Sequence, residues 1–141
     1  MKYVSTGHGN RKSNISELLG KTFYKVELLH YDGDCDYDYE DVIVFYSEDG
    51  KYMMGHVYDC CESVLVEDVV GDLDDLVGAP ILLAEEATNN DNPKSEYTDS
   101  CTWTFYKLAT SKGYVDIRWY GQSNGYYSES VQLVFYPKGD K

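Results

Sequence analysis

Side chains in this 141-residue chain have types and spacings that could do chemistry of four kinds, two of them at one cluster. His56 is followed, after three residues, by the vicinal pair Cys60-Cys61, with Asp59 and Glu62 on either side. Imidazoles and thiolates are zinc ligands, but vicinal cysteines do not readily both face one tetrahedral ion, and no C-x2-C half completes a set. A thiolate nucleophile activated by His56 or His30 is the second possibility. Asp59 and Glu62 oppose it, because neighbouring carboxylates raise a thiol pKa where nucleophilicity needs it lowered. Buried thiols, with His56 paired to a carboxylate, is the plainer reading. No metal, cofactor or catalytic set is assigned.

Asp32, Asp34, Asp36 and Asp38 alternate like the opening of an EF-hand loop. Gly33 is misplaced for the turn such a loop requires, and Ile43 stands where the bidentate glutamate belongs. The Asp32–Asp41 run therefore reads as a solvated acidic loop. The fourth kind centres on Arg118, one of two arginines in the chain, the other being Arg11. Alternation places Asp116 and Tyr120 on its face, and adds Tyr106, Tyr126 and Ser128 from neighbouring strands. Tyrosine platforms beside an arginine suit a nucleotide-like ligand, with rings stacking on a base and the guanidinium forking a phosphate. An Arg118–Asp116 or Arg118–Glu129 pair on a wet sheet face is the competing reading.

The elements that must position these groups read mostly as strands: 22–31, 41–47, 51–58, 63–70, 80–87, 97–109, 114–120 and 126–136. Glu48-Asp49-Gly50, Ser111-Lys112-Gly113 and Ser123-Asn124-Gly125 read as hairpin turns, so the last three strands form one meander. Within it, Trp103, Phe105, Val115, Ile117, Trp119, Val131, Leu133 and Phe135 are assigned to the core. Asn14, with Glu17 at capping-box spacing, predicts a short helix that ends at Gly20, and Asp72 predicts another that ends at Gly78. The fold class expected is α+β: a predominantly antiparallel sheet with one or two short helices in a single domain over 14–137. A flexible arm is expected at 1–13 and a mobile loop at 88–96.

Composition narrows the function classes. Twelve basic against 25 acidic side chains give a net charge of −13. Fifteen of the acids fall in residues 32–75, beside a single lysine, Lys51, whereas 100–141 carries five bases and three acids. Such a middle repels a nucleic-acid backbone, which excludes direct nucleic-acid binding. No run approaches the roughly 20 apolar residues of a membrane span. The first residues lack the apolar stretch of a secretory signal, so a cytoplasmic location and free thiols at Cys35, Cys60, Cys61 and Cys101 are expected.

The segments H-V-Y-D-C-C-E-S-V-L-V-E-D-V-V-G-D-L-D-D-L-V-G-A-P-I and W-T-F-Y-K-L-A-T-S-K-G-Y-V-D-I-R-W-Y-G-Q-S-N-G-Y-Y-S-E-S-V resemble a family of small proteins of unknown function found in phage and prophage genomes. The resemblance covers roughly 14–136 and implies a phage accessory protein acting in the infected host cell. In that setting the Arg118 face suggests a non-catalytic counter-defence protein that sequesters a small nucleotide-derived immune signal. The alternative is an acidic decoy for a basic or nucleic-acid-binding surface of a host defence protein. A homodimer or higher homo-oligomer is expected, because the edges of a small sheet need covering.

Overall fold

The computed structural model describes residues 11–30, 39–57, 62–90, 93–94, 99–125 and 128–138. Among these, nine strands form: β1 (Arg11–Ser13), β2 (Lys25–His30), β3 (Tyr39–Ser47), β4 (Gly50–Val57), β5 (Ser63–Val70), β6 (Leu83–Asn89), β7 (Ser100–Thr110), β8 (Gly113–Ser123) and β9 (Gln132–Pro137). They pair antiparallel in two sheets, ordered β1-β9-β4-β3-β2 and β5-β8-β7-β6. Alternation turns one face of each toward a shared core, and the centre of the larger sheet is also buried on its other face, where Val42, Val44 and Met53 cluster. Ile43, Phe45, Tyr52, Met54 and Leu133 of the larger sheet share a core with Val64, Leu108, Val115, Ile117 and Trp119 of the smaller. No helix among the described residues is long and apolar enough to cross a membrane.

Three expectations are corrected here. The last three strands are not one meander: β9 pairs with β4 and β1, so the chain leaves β8 at Ser123 and crosses to the other sheet. A close approach at Gly121 accompanies the crossing, since a Cβ there would meet the Glu129 carbonyl oxygen at 2.8 Å. The expected helices are single 3₁₀ turns, Ile15–Leu18 and Leu73–Leu76. Each has only four residues to fill, and the left-handed glycines Gly20 (φ 81°) and Gly78 (φ 82°) follow closely. Asp72 caps its turn, accepting from the Asp74 N–H at 2.9 Å, but Asn14 makes no such bond. Lastly, Arg11–Ser13 belongs to a strand rather than to the arm, whose residues 1–10 lie outside the described residues.

Glu17, expected to close a capping box, ties the sheet edge to the core instead. Arg11 donates to both its oxygens, at 2.8 and 2.5 Å, and the Tyr52 hydroxyl donates at 3.0 Å. These donors, Arg11 foremost, hold the Glu17 carboxyl at about 2, below its ordinary 4.5. Because folding depresses this pKa, the stabilisation is complete above about 4.5 and is lost as pH falls through about 2. The Arg11 side chain is 51% exposed. Solvent screening there keeps the gain to about 1 kcal/mol. Urea melts of wild type and Glu17→Gln should therefore differ by about 1 kcal/mol at neutral pH and converge as the medium becomes strongly acidic. A pH-independent difference would contradict this origin.

The end of the acidic run is structural too. Asp41 is 5% exposed; one carboxylate oxygen faces His30 Nδ1 at 2.5 Å and the other accepts from the Val66 N–H at 2.8 Å. Glu40 accepts from the Val64 N–H at 3.3 Å, although burial pushes its carboxyl pKa up. β5 is an edge strand, and these two β3 carboxylates supply acceptors to its Val64 and Val66 amides. Asp32, Asp34, Asp36 and Asp38 lie outside the described residues. Asp41→Ala removes the acceptor from a partly buried amide and should cost about 1–3 kcal/mol in a urea melt. A loss below about 0.5 kcal/mol, the range of an ordinary surface change, would show the contact to be incidental.

Candidate ligand-binding face

The β7–β8 hairpin sets the site. Thr110 stands opposite Gly113, and that register places Trp103 opposite Tyr120, Phe105 opposite Arg118 and Lys107 opposite Asp116. β5 sets Asp68 beside Arg118, and β6 sets Ala87 beside Phe105. The row Asp68–Arg118–Phe105–Ala87 thus crosses all four strands on the face turned away from the core. A concavity of about 860 Å³ lies here, with lining residues from each of the four strands.

Its chemistry is aromatic and mixed in charge. The Arg118 guanidinium lies 5.9 Å from the Trp103 ring centre, a cation–π distance. Nη2 of Arg118 donates to Asp68 at 3.4 Å, with the two side chains 45% and 48% exposed. Trp103 stacks on Phe105 at 6.4 Å and 9°, and Tyr120 packs against Trp103 at 4.6 Å. Tyr120 is nearly covered: its hydroxyl accepts from the Lys94 N–H at 3.1 Å, and the Lys94 ammonium, which also pairs with Glu67, lies 5.2 Å from its ring centre. Asp68, Asp116, Glu85 and Glu86 line the concavity together with Arg118 and Lys107.

Of the residues read from the sequence, Arg118, Asp116 and Tyr120 share this face. Tyr106 does not. It is 2% exposed and opposite Ile117, and its hydroxyl pKa is pushed up by burial and by neighbouring Glu86. Its face was misassigned because both parities of β7 carry aromatics. Lys107 and Leu108 resolve the choice: Leu108 takes Tyr106 inward, and Lys107 takes Phe105 and Trp103 outward. The two β7 aromatics assigned to the core, Trp103 and Phe105, are thus the ones that build the site. Ser128 lies on the crossing segment, where its hydroxyl bonds Ser130 at 2.8 Å, and Tyr126 lies outside the described residues. Arg118 pairs with Asp68 rather than Asp116 or Glu129. Glu129 is itself buried and accepts from Thr102 at 2.8 Å and Ser123 at 2.5 Å.

The His56 cluster resolves differently. His56 is 7% exposed, with Nδ1 facing the Ser130 carbonyl at 2.8 Å and Nε2 facing Glu62 at 2.6 Å. Both ring nitrogens are engaged with oxygens, so neither is turned toward a metal or thiol. Cys60 and Cys61 lie outside the described residues; among those described, no three His, Cys, Asp or Glu side chains are grouped to hold a metal ion.

These features define a two-sheet antiparallel β protein with an aromatic and charged platform on the open face of its smaller sheet. The chain belongs to a domain family of unknown function, DUF7448, which matches residues 16–133 and so includes the whole smaller sheet with its platform, and β2, β3 and β4 of the larger. No curated protein and no solved structure matches it.

Proposed function

We propose that the open face of the β5-β8-β7-β6 sheet binds and sequesters a small nucleotide-derived molecule without turning it over. One observation carries the reading: Arg118 and Phe105 line a concavity of ligand size, and Trp103, stacked on Phe105, stands beside it. Exposed aromatic faces stack on a base at about 1–3 kcal/mol each, and an arginine forks a phosphate. Four lining carboxylates disfavour a highly charged ligand; they accept hydrogen bonds from ribose hydroxyls and exocyclic amines. The ligand class is therefore rich in hydroxyls and low in charge, such as a cyclic nucleotide or an ADP-ribose derivative.

In the phage setting that the sequence resemblance implies, removal of such a molecule in the cytoplasm of the infected cell is counter-defence by sequestration. A symmetric dimer, formed across an edge strand such as β6, belongs to the same reading. The exposed acids Glu67, Asp68, Asp72 and Asp74 support the alternative, an acidic decoy that occupies a basic surface of a host defence protein. Calorimetric titration of cyclic nucleotides and ADP-ribose derivatives into the purified protein separates the two. Saturable binding of one class supports sequestration. No heat from any of them, together with capture of a basic host protein, would support the decoy.

A further inference from the structure

A second concavity, about 760 Å³, lies where the start of β2, the β3–β4 hairpin and the end of β9 converge, and it shares no lining residue with the first. Tyr24, Tyr46 and Tyr136 line it, with buried Phe23 also in its lining. Tyr24 is 64% exposed and lies 6.1 Å from Tyr46, centre to centre. Four lysines from four separate stretches surround it. Lys51 and Lys138 line it directly, and the Lys25 ammonium is 5.5 Å from the Tyr46 ring centre. The Lys112 ammonium reaches the lining glycine Gly78, donating to the adjacent Val77 carbonyl at 2.6 Å. Among the lining residues the two lysines Lys51 and Lys138 outnumber the one carboxylate, Glu48, while Lys25 is paired with Glu27 at 3.4 Å, just outside the lining. In a chain of 25 acids and 12 bases this is a reversal, and it is opposite to the acid-lined first concavity.

We propose that this cleft is a second binding site, for a small phosphate monoester that carries a planar ring. The ammonium groups of Lys51 and Lys138 meet the phosphate as mobile point charges, and the ring lies against Tyr24 and Tyr46. The Lys51 ammonium is at present 5.9 Å from the Tyr136 ring centre, a cation–π contact that is weak at an exposed site and yields to a phosphate oxygen. Because the Debye length is about 8 Å at physiological salt, a locally basic cleft can attract an anion on a strongly acidic protein. The inference does not depend on the Arg118 face.

The test is calorimetric titration of AMP, adenosine and inorganic phosphate into the full chain, with folding of each variant checked by thermal melting. AMP is expected to bind wild type, with adenosine and phosphate each weaker by about tenfold or more, since each lacks one half of the recognition. Lys51→Ala/Lys138→Ala should weaken AMP by at least about tenfold, and Arg118→Ala should leave it unchanged. Tyr24→Ala changes an exposed side chain that is not part of the core, so it reports on the ring contact even if the lysine pair proves necessary for folding. No AMP binding, phosphate binding as tight as AMP, or insensitivity to both the lysine and tyrosine changes would overturn the site. Loss of AMP binding in Arg118→Ala alone would place the ligand on the other face, sinking this inference and leaving the earlier proposal standing.

Discussion

Replacing His56 with alanine is expected to destabilise the fold by about 3–5 kcal/mol, a large share of a domain's total stability. The side chains of His56 and Glu62 are 8% and 1% exposed and meet at 2.6 Å, and the other ring nitrogen faces the carbonyl of Ser130 on the segment that crosses between the sheets. Removing the imidazole takes a hydrogen-bond partner from a buried carboxyl group and frees the carbonyl that anchors the crossing. Most of the loss arises from keeping Glu62 buried without its His56 partner rather than from the pair's own strength. A double replacement, His56→Met with Glu62→Leu, should therefore recover much of it. Urea unfolding of the three proteins decides the matter. A His56→Ala loss below about 1 kcal/mol, the level of an exposed ion pair, would mean that the carboxylate is already satisfied by other means.

Arg118→Ala is expected to act on binding and hardly on folding. Its pair with Asp68 is long, at 3.4 Å, and both side chains are nearly half exposed. Such pairs contribute about 0–1 kcal/mol, so the melting temperature should move little. Bound ligand would exclude water from the guanidinium, and its loss should then cost about 2–5 kcal/mol, roughly thirtyfold to several thousandfold in affinity. Ile117 and Trp119, on either side, point into the core and hold the strand still, which lowers the ordering cost of binding. Unchanged affinity in the variant would remove Arg118 from the site. A variant that fails to fold would make Arg118 structural and return the face to an ordinary wet sheet.

Strand positions were legible because alternation and turn chemistry are local. Ser63–Val70 was read with its observed bounds, and the Ser111-Lys112 turn with its partners on either side. Sheet membership was not legible. An Asn-Gly turn between two apolar strands looks the same whether the second strand pairs beside the first or crosses to another sheet, and at Asn124-Gly125 it crosses. Helix and 3₁₀ turn were likewise indistinguishable over four residues, since the apolar spacing of Ile15 and Leu18 fits either. Arg118 was found because an arginine between two inward residues of a clear strand has one place to point. Its partners were missed for the opposite reason. Trp103, Phe105 and Tyr106 put rings on both faces of β7, and hydrophobicity alone then favours the wrong side. Asp68 was out of reach for a different cause: a bulge between Val66 and Asp68 shifts the β5 register, so counting by twos from Ser63 does not lead to it.

The chain's two tryptophans provide the most direct test of the binding face. Trp103 stands on the platform beside Arg118, and Trp119 is fully buried in the core behind it. Their indole N–H resonances in a ¹⁵N-labelled sample form a two-peak reporter, assigned by Trp103→Phe. Titration with the cyclic nucleotide or ADP-ribose derivative that gives heat in calorimetry is predicted to move the Trp103 peak in a saturable way, leave Trp119 nearly still, and lose its effect in Arg118→Ala. Saturable heat with a motionless Trp103 peak would place the ligand elsewhere and contradict the assignment of function to this face.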